Sequence, residues 1–116
     1  MKNSAQKYTT SEKADLHDIV MPLLQAMYHQ FQELSKKKPD AVLNNSKVKT
    51  VNRLLDSCRK VLESEQTLEF LDLLDEDNIP QNSDVVLMLS QYVAAMNQFH
   101  STYYGRDEMG HRRWFI

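Results

Sequence analysis

Between Thr10 and Lys38, apolar residues recur at spacings of three and four: Leu16, Val20, Leu23, Met27, Phe31 (or Gln30) and Leu34. That period predicts one long helix, opened by Thr10 or Ser11 and stopped before Pro39. Pro22 lies inside it, lacks a backbone donor and crowds the preceding turn, so a kink is expected near Asp18 to Met21. A second stripe, Val48, Val51, Leu54 or Leu55, Cys58 and Val61 or Leu62, predicts a helix from Ser46 to about Glu63. Leu68, Leu71 and Leu74, widened by Phe70 and Leu73, predict a short third helix over 65–75. Val85, Leu89, Tyr92, Met96, Phe99 and Tyr103 predict the last helix, from a Ser83 cap to a Gly105 stop.

The pattern therefore describes an all-α, single small domain. It is an antiparallel, four-helix bundle-like arrangement with helices of roughly 27, 17, 11 and 21 residues. The first helix is kinked and the third is short. Residues 1–9 read as a flexible polar start, 10–105 as the helical bundle domain, and 106–116 as an aromatic-basic tail docked on the bundle or on a second subunit. After Asp84 the last helix carries no charged residue, and its back is Ser90, Ala94, Asn97 and Ser101. Such a helix is expected to be covered on both faces, by the bundle on one and by the tail or a second subunit on the other.

Composition supports helices over sheets. The only glycines in 116 residues are Gly105 and Gly110, too few for the turns of a sheet protein of this length. A single cysteine, Cys58, excludes an internal disulfide and sits on an apolar stripe. No apolar run approaches the ~18 residues of a membrane span and no leader is evident, so a cytoplasmic protein with no membrane partner is expected.

The net charge of −2 conceals segregation. Residues 36–60 hold eight basic and two acidic side chains, whereas residues 61–105 hold eight acidic ones and neither Lys nor Arg. The basic surface is Lys47, Lys49, Arg53 and Lys60; the acidic surface is Glu65, Glu69, Asp72, Asp75, Glu76 and Asp77. Either the two blocks lie on neighbouring helices and offset one another, or they leave a dipolar surface that steers a partner. The acidic block argues against a nucleic-acid partner, because it would repel phosphates.

Tests for chemistry return little. The acidic loop from Asp75 has Ile79 and Pro80 where a calcium loop needs an oxygen ligand and a glycine. His29 and Glu33 share a helical face, but the predicted helices hold no Glu-x-x-His pair, so no metal and no cofactor are expected. His100 gains from a helix C-terminus and is read as structural. Arg106 and His111 are separated by four residues, with an acidic residue after the arginine. This spacing resembles the Arg-x4–6-His signature of the HEPN superfamily, all-helical domains that include metal-independent ribonucleases. The resemblance implies that Arg106 would bind phosphate and His111 would move a proton at a 2′-hydroxyl. In that family the motif lies on a helix; here it follows Gly105 and contains Gly110.

The last residues, HRRWFI, join types enriched at protein–protein hot spots. Arg112, Arg113, Trp114 and Phe115, with Tyr103 and Tyr104, are the candidate interaction residues. The function expected from sequence is a protein-interaction module without catalysis, self-associating as a homodimer or holding a protein partner. No small-molecule substrate is indicated. An RNA-directed activity through Arg106 and His111 is the alternative.

Overall fold

The computed structural model describes residues 5–116. Thr10 caps the first helix, its hydroxyl oxygen accepting from the Lys13 backbone N–H at 3.2 Å. Helix α1 then runs from Ser11 to Lys37, continuous through Pro22. Lys36 and Lys37 lie in its last turn, where cations face the negative end of the dipole. Helix α2 spans Asn45–Val61; its cap is Asn44, two residues before Ser46, with Oδ1 accepting from Lys47 N–H at 2.8 Å. Helix α3 spans Asn82–Tyr103, and the Asp84 carboxylate reaches back to accept from the Gln81 N–H at 3.0 Å.

Helix α1 is the common partner. Its His17 lies against Met96 and Phe99 near the end of α3, while Asn82 at the start of α3 donates to the Lys38 carbonyl at 2.9 Å. Lys13 reaches Glu63 and Ser64, just past the end of α2. Both other helices thus run antiparallel to α1. The core is one cluster centred on Leu24, Val48, Leu55, Leu89, Tyr92 and Met96. Cys58 is fully buried within it, and burial pushes its thiol up to about 12.

The expectation of four helices is corrected: the described residues form three α-helices, with a 3-10 turn over Gln66–Phe70 in place of the third of those expected. Residues 71–75 form no regular secondary structure, and other elements supply their backbone partners. Asn52 of α2 pairs with both the N–H and the C=O of Leu74, at 2.8 and 2.9 Å. Arg59 donates to the Leu71 carbonyl and Tyr92 to the Asp72 carbonyl, at 2.6 and 2.8 Å. Leu71 and Leu74 stay buried, whereas Phe70 is 71% exposed. Desolvation raises the Tyr92 hydroxyl pKa despite the nearby Arg59.

The C-terminal residues add a small sheet that helical periodicity could not suggest. Strand β1 (Tyr104–Arg106) pairs antiparallel with β2 (Arg112–Trp114), with Tyr104 opposite Trp114. Helix α3 ends at Tyr103, and Gly105 serves β1 instead of stopping the helix. A Cβ at Gly105 would sit 3.3 Å from the Phe115 ring, so the missing side chain lets that ring lie over the strand. Asp107 Oδ1 accepts from the N–H groups of Met109 and His111 at 2.9 Å each, and Gly110 closes the turn at φ 82°.

Candidate interaction surfaces

The C-terminal aromatic residues are held by the chain's own helices. The half-buried Trp114 ring lies 5.1 Å from His17, 5.2 Å from His100, 5.5 Å from Tyr104 and 5.9 Å from Phe99, centroid to centroid. Its indole N–H donates to both oxygens of Asp18, at 3.1 and 3.3 Å. His17 is only 4% exposed, and its Nε2–H donates to the Met96 carbonyl at 2.9 Å. Burial lowers its pKa, against the effect of that hydrogen bond. His100 stacks on Tyr104 at 4.4 Å.

Phe115 is clasped between two backbones. Its N–H donates to the Tyr103 carbonyl at 2.7 Å and its carbonyl accepts from Thr9 N–H at 2.9 Å. Tyr8 meets its ring edge-on. Of the segment read from sequence as a flexible start, residues 1–4 lie outside the described residues; residues 6–9 run along the C-terminal segment, with Gln6 donating to the Thr102 carbonyl. The Tyr103 hydroxyl donates to Glu65 at 2.8 Å, and desolvation raises its pKa. Of the candidate tail residues, only Arg112 and Arg113 remain exposed; Tyr103, Tyr104, Trp114 and Phe115 are half-buried. The hairpin covers the Phe99–His100 edge of α3 and leaves Ala94, Asn97 and Ser101 exposed, so the tail does not cover that back face.

Arg106 and His111 sit at the two ends of the hairpin turn, not along a helix. The Arg106 guanidinium donates to the Gly110 carbonyl at 3.4 Å, and His111 is exposed. Across the strands Arg106 stands opposite Arg112. On α2, Lys49, Arg53 and Lys60 share one face, while Lys47 points about 140° away. Glu69, Asp72, Asp75, Glu76 and Asp77 are exposed along the 3-10 turn and the irregular run that follows it. Among the described residues the ion pairs are Lys13–Glu63, Lys36–Glu33 and Arg113–Asp107, so none joins the basic set to the acidic set. No group of three potential metal ligands occurs among the described residues, and no helix there is long and apolar enough to cross a membrane.

One further surface was only half visible in the sequence. Helix α1 is apolar on two faces. His17, Val20, Met21, Leu24 and Phe31 enter the core. Leu16, Ile19, Leu23, Met27 and Leu34 form a second stripe, with Ile19 63%, Leu23 55% and Leu34 42% exposed and the other two half-buried. The single stripe read from periodicity merged the two, and Leu23 and Leu34 are corrected from core to surface. With Arg53, Leu54 and Ser57 of α2, Leu16, Ile19, Leu23 and Met27 of the stripe line an open groove of about 520 Å³. In comparisons with protein-family models, curated proteins and solved structures, nothing matches this chain.

Proposed function

We propose that the protein is an interaction module without catalysis, and that its working surface is the open face of α1 and α2. The observation that supports this is the second apolar stripe of α1. A helix that serves only its own core carries one apolar stripe and a polar back. Fully burying a Leu or Ile side chain is worth about 1.5–3 kcal/mol, so a seam with Ile19, Leu23 and Leu34 exposed and Leu16 and Met27 half-buried is a large unused attraction. The C-terminal aromatics are engaged in cis, which leaves them less to offer a partner than their composition suggests. Site-specific photo-crosslinking in the producing cell tests the reading. A benzoylphenylalanine in place of Leu23 should give a discrete adduct band, while the same group in place of Ser101 should not. Absence of any adduct at position 23 in the folded protein would remove the proposal.

A further inference from the structure

We infer that the occupant of the α1–α2 face is a second copy of the same chain, docked antiparallel about a twofold axis at the level of Leu24 and Gln25. The inference rests on the reading of this face as the working surface and names its partner.

At 3.6 residues per turn, Glu12, Leu16, Ile19, Leu23, Ala26, Met27, Gln30, Leu34 and Lys37 all fall within about 60° of Leu23 on the helix surface. The order is self-complementary. Turned end for end about its midpoint, the stripe sets Glu12 opposite Lys37 of the partner subunit and Leu16 opposite Leu34 of the partner subunit. It also sets Ile19 opposite Gln30 of the partner subunit, and Leu23 opposite Ala26 of the partner subunit. The apolar seam from Leu16 to Leu34 is about 27 Å long, with one charge of each sign beyond its ends. Both end residues are exposed, and among the described residues neither Lys37 nor Glu12 has an ion-pair partner. A parallel pairing would set glutamate against glutamate and lysine against lysine. A closed, isologous pair demands this kind of self-matching patch.

The amount of surface agrees. The chain exposes 7729 Å². A monomer of this mass usually exposes about 6,600 Å², so the excess is roughly 1,100 Å². A standard interface hides about 800 Å² per partner. The radius of gyration, 16.3 Å, likewise exceeds the roughly 13 Å of a compact chain of this length. The back of α3 is the competing surface. Its Leu87 and the neighbouring Phe70 are exposed, but Gln91 and Gln98 line the groove there and no charges on that face define a pairing.

Light scattering and sedimentation equilibrium of the purified chain test this over 1–100 µM at low salt. The expected mass is twice 13.6 kDa. Leu23→Glu should weaken the dimer at least ~100-fold while the helical circular dichroism stays as in the parent, because Leu23 takes no part in the core. Glu12→Lys alone and Lys37→Glu alone should each weaken it about 10-fold, since symmetry turns two end pairs repulsive at once. The double swap should restore it. A monomer throughout, or a dimer indifferent to Leu23→Glu, overturns the inference. A dimer lost in Leu23→Glu but indifferent to the single charge variants, or left as weak by the double swap as by the singles, overturns the antiparallel register. A monomeric purified chain that still gives an adduct of foreign mass from position 23 in the cell would overturn the second copy and leave the working surface standing.

Discussion

The indole N–H of Trp114 donates to the carboxylate of Asp18, 96 positions earlier in the chain, with 3.1 Å to Oδ2. This bond fastens the C-terminal strand to α1. Trp114→Phe keeps most of the ring packing against His17 and His100 and removes only the donor, so it should cost about 1 kcal/mol. Trp114→Ala removes the packing too and should cost about 2–3 kcal/mol, below the full core value because the ring is half-buried. Urea denaturation with an unchanged m-value checks both. Equal costs for the two variants would mean that the hydrogen bond, not the ring, holds the strand.

The irregular run after the 3-10 turn makes a separate prediction. Asn52 satisfies both backbone groups of Leu74. Asn52→Ala leaves them without protein partners and should cost about 2 kcal/mol. Hydrogen exchange should rise at Leu74, while α1 keeps its protection. Unchanged exchange at Leu74 would show that Arg59 and Tyr92 suffice to pin the run.

These two regions also mark what could be read from residue order. The start and stop of α1 were legible because Thr10, the lysines at 36–38 and Pro39 are local signals. Leu68, Leu71 and Leu74 fit a helix equally well as a sequence. What excludes the helix is the set of backbone partners supplied by Asn52, Arg59 and Tyr92, which lie 12 to 22 positions from the groups they bind. Likewise nothing local distinguishes the stripe containing Leu24 from the one containing Leu23. The choice follows from where α3 docks. The hairpin strands have three residues each, too short for alternation to register, although Asp107 and Gly110 did carry a turn signal.

His17 makes stability depend on pH. Its Nε2–H is committed to the Met96 carbonyl, and the faces around it are Phe99 and His100 of α3 and Trp114 of β2. Asp18 is the nearby acid, and its effect is smaller than that of burial. A folded pKa below the ordinary 6.5 means that the unfolded chain binds the proton more readily. Stability is then complete above about pH 6.5 and falls as pH drops toward the lowered folded value. Thermal midpoints at pH 7.5 and 5.5 should differ in the parent, with the lower one at 5.5. That difference should shrink in His17→Gln, which keeps an N–H for the Met96 carbonyl. An equal pH effect in both proteins would assign it to other groups.

Cys58 offers a chemical measure of core opening. It is fully buried, and its thiol sits at about 12. At pH 8 the folded protein therefore holds a thiolate fraction of about one in 10⁴, and the sulfur has no route to reagent. Modification must proceed through opened molecules, so its rate should follow the opening equilibrium and not the thiol's intrinsic reactivity. With a disulfide reagent at pH 8, the folded chain should react at least ~1,000-fold more slowly than the chain in 8 M urea. Asn52→Ala should speed the reaction in proportion to its loss of stability if opening is global, because the run that Asn52 pins packs over the same core. Rapid stoichiometric labelling of the folded parent would show that the core around Cys58 is open to solvent on the timescale of the reaction.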